Sequence, residues 1–183
     1  MIKKATDSDV EFLAKASWDL AHRLKSMQVG CPFRGFPSYE LTHDAIKSEL
    51  LNKSDSVLWF TCNTSVPAEA GFFRLLRKGN DEIHKRWGFP DSFLSINWFP
   101  WLQRAEILTE QFGDLVNLFP EPSLEASVHT QFRDAYFALL QSGFRPLGEQ
   151  SSVVGKYALL YLDRDGKFDK IQMKLKKSRF IDP

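Results

Sequence analysis

The stretch WFPWLQRAEIL, Trp98 to Leu108, leaves a β-rich run and enters one of helical periodicity, with Pro100 at the turn and Gln103 and Arg104 just ahead of the helix. Backbone N–H groups in a helix's first turn lack intrahelical acceptors, and the positive end of the helix dipole lies beside them. Such a turn suits a phosphate. His129 ends the run LEASVH and brings an imidazole, which when unperturbed titrates near neutral pH and so suits proton transfer. Cys31 and Cys62 form no CxxC pair and have no histidine at metal-ligand spacing, so no metal is expected and both thiols are expected to be reduced.

These groups need elements to position them. Ile2 to Ala5 reads as a short strand. Thr6-Asp7-Ser8-Asp9 then supplies N-cap chemistry for a helix with apolar residues at Val10, Leu13, Ala14, Trp18, Ala21 and Leu24. SMQVGCPFRGFPSY is a loop anchored by Phe33, Phe36 and Tyr39, and a second helix fits Leu41 to Leu51. Ser56 to Cys62 and Ala70 to Leu76 read as antiparallel neighbours joined by NTSVPAE. A polar surface loop, Lys78 to Asp91, separates them from a third strand, Phe93 to Phe99.

A helix over Ala105 to Phe119 is stopped by Pro120-Glu121-Pro122, the strand Leu124 to His129 follows, and a helix through Phe132, Ala135, Tyr136, Leu139 and Leu140 closes at Gly143. The alternation predicts two last strands, Gly155 to Leu162 and Lys170 to Lys176, joined by DRDG, with the lysines of KLKKSRF on the solvated face of a sheet edge. No repeat or linker divides the chain, so residues 1–183 are expected to form one domain.

Twenty-four basic and 23 acidic side chains nearly cancel, leaving no global field to gather nucleic acid or an anionic membrane surface. No run approaches the roughly 18 apolar residues of a membrane span, and the opening MIKKATDSDV has no signal-peptide core. Neither nucleic acid nor membrane is expected as a partner, and the expected location is cytoplasmic.

The element order, with IKKATDSDVEFLAKAS, EAGFFRLL, the A-x-x-x-L-x-x-x-GF phrase ending at Gly143-Phe144 and GKYALLYLDRDGKFDKIQMKLKK, resembles the GNAT superfamily of acyl-CoA-dependent N-acyltransferases. The resemblance implies a single-domain α+β fold: a mixed, mostly antiparallel central sheet flanked by helices, with its central strands splayed where a cofactor enters. It also implies an acetyl-CoA or related acyl-CoA donor, a small-molecule or peptide amine acceptor, and direct attack of the amine on the thioester.

In that family the fourth strand runs into a loop of the type P-x-x-Q/R-x-x-G-x-G/A. Pro100, Gln103 and Arg104 match it, whereas Glu106 and Leu108 stand at the glycine positions. The resemblance thus places the cofactor's pyrophosphate against Phe99, Gln103, Arg104, Ala105, Glu106, Ile107 and Leu108. A Glu106 side chain lying across the loop would take the anion's place; one pointing outward would leave the turn to it. Phe132 and Leu139 occupy positions where the family commonly has an Asn and an acid-serving Tyr, so Tyr136, one turn before Leu139, could act as acid only if its helix were rotated or shifted.

For the base that takes the amine's proton the sequence offers Glu69, Asn97 and His129 with Thr130, of which His129 or Glu69 is expected to serve; the resemblance puts Phe33, Phe36 and Tyr39 at the acceptor pocket, where Asn97 is also expected to bind substrate. Two functions stay open at this point. One is an N-acyltransferase; the other is a GNAT-fold protein without catalysis that uses the cleft, or the rim of Trp87, Trp98 and Trp101, to bind a ligand or protein. A homo-oligomer fits either.

Overall fold

A computed structural model describes residues 1–27, 29, 38–52, 56–62, 70–79, 92–119, 123–152, 155–164 and 166–178. In chain order the elements are β1 (Ile2–Lys4), α1 (Val10–Ser26), α2 (Tyr39–Leu51), β2 (Val57–Cys62), β3 (Gly71–Gly79), β4 (Ser92–Trp98), α3 (Ala105–Leu118), β5 (Leu124–His129), α4 (Arg133–Gln141), β6 (Arg145–Ser152), β7 (Gly155–Leu162) and α5 (Phe168–Ser178). The strands form one seven-stranded sheet in the order β1-β2-β3-β4-β5-β7-β6, antiparallel except for the central pair β4 and β5. This is a mixed, mostly antiparallel sheet flanked by helices, as expected. Among the described residues no helix is long and apolar enough to cross a membrane.

Alternation along β3 sorts the two faces. Phe72 meets Trp59 and Trp98 on the side where Arg74 reaches Glu49 of α2, while Phe73 meets Phe99 and Phe112 on the side of α3. The helices dock by buried stripes: Leu13, Leu20 and Leu24 of α1, Ile46 of α2, Leu108, Phe112 and Leu115 of α3, and Ala135, Ala138 and Leu139 of α4. Local signals set the helix ends. The Ser38 hydroxyl accepts from the Leu41 N–H at the start of α2. After α4, Gly143 at φ +92° lets the Phe144 N–H reach the Leu139 carbonyl and its own N–H reach that of Leu140.

The end of the chain departs from expectation. Lys170–Lys176 lies in helix α5, not in a strand. Lys-Ile-Gln-Met-Lys-Leu-Lys alternates at period two, yet Phe168 and Ile171 also fall three apart, and a run this short fits both periods. Tertiary context decides. The Asp163 carboxylate accepts from the N–H groups of Lys167 and Phe168, starting the helix, and Phe168 and Ile171 pack with Leu147 and Tyr161 in a small second core. After β7 the Asp163 carboxylate therefore starts a helix, and the expected hairpin is absent among the described residues.

The last sheet edge is instead β6, RPLGEQSS, whose Pro, Gly and Ser content hides a strand. Pairing with β7 forms it, and a register shift between Pro146 and Gly148 leaves Leu147 outside the ladder and buried in the second core.

Candidate functional site

The parallel ladder of β4 and β5 holds only Leu94↔Leu124, Ser95↔Glu125 and Ile96↔Ala126. Beyond it the strands part. On β4 the register with β3 jumps from Leu75↔Ile96 to Arg74↔Trp98, so Asn97 is the extra residue of a bulge, while β5 stays with β7 as far as His129↔Tyr157. A fork opens between the C-terminal ends of the two central strands, beside the first turn of α3.

Trp101 bridges the fork. Its ring centroid lies 5.7 Å from Trp98 and 5.8 Å from Phe99 on the β4 side, and 5.6 Å from Phe132 and 6.2 Å from Tyr157 on the β5–β7 side. The indole is 1% exposed, and its Nε1 is buried without a hydrogen-bond partner among the described residues. Truncating so large a buried ring costs about 3–5 kcal/mol, whereas an orphaned buried donor costs about 1–3 kcal/mol. Packing wins, and it holds the indole in place with its N–H unsatisfied.

The turn itself is tightly made. The Trp101 N–H donates to the Phe99 carbonyl at 2.9 Å and the Gln103 N–H to that of Pro100 at 3.1 Å. Arg104 is the extended N-cap residue, and α3 starts at Ala105. The N–H groups of Ala105, Glu106 and Ile107 belong to the first turn, where no intrahelical carbonyl serves them; that of Leu108 already donates to the Arg104 carbonyl.

Side chains pin this turn to β3. The Gln103 Nε2 reaches the Ala70 carbonyl at 3.5 Å, and Gln111 lies over Gly71 so closely that a Cβ there would stand 2.7 Å from its Nε2. Leu108 is buried in the core, Phe99 is buried between Phe73, Phe112 and Trp101, and Ala105 and Ile107 are half-buried. Arg104 and Glu106 are exposed, and Glu106 takes part in no ion pair among the described residues. Neither replaced glycine puts a paired side chain across the turn.

A polar network crosses the other face of the sheet. Arg74 on β3 donates from Nε to Glu49 Oε2 at 3.0 Å and from Nη2 to Glu49 Oε1 at 2.6 Å, a bidentate pair, and from Nη1 to Asn97 Oδ1 at 2.6 Å. The Trp59 Nε1–H donates to the same carboxylate at 2.7 Å. Asn97 is therefore anchored through its carbonyl, leaving its amide N–H groups as the end able to serve a ligand. Sequence reasoning missed Glu49 and Arg74. The signal was present: an arginine inside GFFRLL must be explained by a carboxylate, and Glu49, on the helix before β2, is that partner.

His129 lies on the β5–β7 side. Its Nδ1 accepts from the Gln131 N–H at 3.3 Å, which puts the proton of the neutral ring on Nε2. The ring stacks edge-on against Tyr157 at 5.2 Å and tilts toward Phe132 at 5.8 Å, the two rings that also touch Trp101. Burial pushes its pKa below the ordinary histidine value, so the neutral form prevails at neutral pH.

The other expected site residues spread apart. Tyr136 is half-buried on α4, its ring 6.0 Å from Phe137, with Leu139 fully buried one turn on. Tyr39 begins α2, where its hydroxyl donates to Glu11 of α1 at 3.1 Å and its ring lies 6.4 Å from Trp18. Asn97 stands at the bulge beside the fork. Glu69, Phe33, Phe36, Cys31 and Trp87 lie outside the described residues.

No family model and no curated protein matches the sequence. Solved structures do. Ribosomal-protein-S5-alanine acetyltransferase from Vibrio fischeri superposes with a TM-score of 0.59 at 12% identity, covering 90% of this chain and 93% of that one. Aminoglycoside N(6′)-acetyltransferase from Legionella pneumophila gives 0.58 at 10% identity, covering 97% and 95%. An aminoglycoside acetyltransferase in complex with coenzyme A and kanamycin gives 0.58 at 14%, covering 98% of each chain. At such identities the likeness speaks for architecture alone: the chain has the GNAT acetyltransferase fold.

Proposed function

We propose that the chain is an N-acyltransferase that takes acetyl-CoA or a related acyl-CoA and passes the acyl group to an amine of a small molecule or peptide by direct attack. The observation that carries this reading is the fork between β4 and β5, set beside the unserved N–H groups of α3's first turn. Structural neighbours crystallised with coenzyme A or acetyl-CoA and with aminoglycosides support it.

The residues fit the phosphate end of such a donor. The N–H groups of Ala105, Glu106 and Ile107 and the Arg104 side chain hold a pyrophosphate in this reading, with Gln103 fixing the turn through Ala70. A bound thioester supplies the activated acyl carbon. Asn97, oriented by Arg74, offers its amide beside the fork. Proton transfer from the amine falls to His129, kept neutral by burial, or to Glu69, and Tyr136 is the candidate acid.

A second reading, a non-catalytic ligand-binding or protein-interaction module, is favoured by one observation: the buried rings of Trp101 and Phe132 meet across the fork that a donor's arm would have to enter. Titration calorimetry with acetyl-CoA and coenzyme A at low salt, followed by an amine screen for thiol release, separates the two. Micromolar binding with thiol release supports the acyltransferase. Binding without release from any amine supports the module, and no binding of either nucleotide removes the acyltransferase reading.

A further inference from the structure

The Trp101 backbone and side chain do different things. Its N–H and that of Gln103 are tied to the carbonyls of Phe99 and Pro100, so the turn that presents α3's first N–H groups is held by main-chain bonds. Its indole instead spans the fork from Trp98 and Phe99 to Phe132 and Tyr157. The phosphate seat and the filling of the fork are thereby separable.

The state of the indole N–H points the same way. A buried tryptophan N–H usually finds a partner, as that of Trp59 does on Glu49 at 2.7 Å. Trp101 is as deeply buried, yet its Nε1 has no partner among the described residues.

We propose that Trp101 is the specificity-determining residue of the donor site: its indole shuts the fork to the thiol-bearing arm of an acyl-CoA while the α3 turn stays open to the nucleotide's phosphates. The inference rests on the acyl-CoA reading above. An arm enters only when the indole gives way, and its amide carbonyls are then acceptors of the kind the orphaned N–H lacks. In the wild type the arm therefore adds little to affinity, because what it gains in the fork is spent displacing the ring.

The test is calorimetric titration of the full chain and of Trp101→Ala and Trp101→Leu with coenzyme A and with 3′-phospho-ADP, the same nucleotide without its arm. In the wild type the two are expected to bind within about threefold of each other; in the variants coenzyme A is expected to be at least about tenfold tighter, with 3′-phospho-ADP changed by less than about threefold. Trp101→Leu keeps an apolar filling and carries the readout where the alanine variant fails to fold. Coenzyme A binding at least about tenfold tighter than 3′-phospho-ADP in the wild type, with no gain in the variants, overturns the inference and leaves the acyl-CoA reading standing. Binding of neither nucleotide to any of the three proteins overturns both.

Discussion

Gly155 stands so close to His129 that a Cβ on it would lie 2.2 Å from the imidazole Nε2. Its backbone has φ +127°, a conformation that side-chain-bearing residues rarely adopt. Gly155→Ala therefore meets two obstacles, backbone strain of about 1–3 kcal/mol and a ring that must move. The expected outcome is a lowered thermal midpoint together with shifted imidazole NMR signals of His129. An unchanged midpoint with unmoved signals would show that the ring does not rest on this glycine.

Burial depresses the His129 pKa, which fixes the sign of a pH effect. The unfolded chain takes up a proton near the ordinary value of 6.5, and the folded chain does so only at lower pH. Stability from the neutral ring is complete above that ordinary value and is lost as pH falls through the folded pKa. Urea midpoints at about pH 7.5 and pH 5.5 should fall for the wild type, and fall less for His129→Gln. Equal falls in both proteins would place the titration elsewhere.

The Arg74 guanidinium is nearly buried and Glu49 is its carboxylate. Removing one partner of a buried pair costs about 3–5 kcal/mol, because the other charge is stranded. Glu49 retains 23% side-chain exposure, and Asn97 still accepts from Arg74, so Glu49→Ala is expected at or below the bottom of that range. Glu49→Leu combined with Arg74→Met, which strands no charge, should cost clearly less than Glu49→Ala alone. Denaturant unfolding of the three proteins checks the order; a double variant worse than the single one would mean that the pair contributes net stability.

The sequence carried the site where local chemistry decides and hid it where distant partners do. Leu124–His129 ends as a strand at the residues expected, because its apolar alternation is bounded by Pro120-Glu121-Pro122 and a helix start. WFPWLQRAEIL likewise forms a strand, a turn and a helix opening at Ala105, set by Pro100 and the helical spacing behind it. The β6 strand is illegible because only β7 makes it one, and α5 because Phe168 and Ile171 pack against Leu147 of β6 and Tyr161 of β7 instead of pairing as a further strand. The Arg74–Glu49 pair joins residues 25 apart, beyond the reach of any motif. In the sequence Trp101 is only one of a cluster of tryptophans; that its ring spans two diverging strands is a fact of topology.

Glu106 offers the sharpest remaining test of the turn. It is exposed in the first turn of α3 and favours the helix through the dipole by about 0.3–1 kcal/mol, whereas an anion seated on that turn about 4 Å from its carboxylate would be repelled by about 1–4 kcal/mol. Repulsion is the larger effect, so Glu106→Gln should tighten 3′-phospho-ADP about fivefold or more at low salt, and Arg104→Ala should weaken it about tenfold. Both changes should shrink as salt is raised, since both residues face solvent. Titrations at two ionic strengths check the pair. A nucleotide indifferent to both substitutions would mean that its phosphates sit elsewhere than at the start of α3.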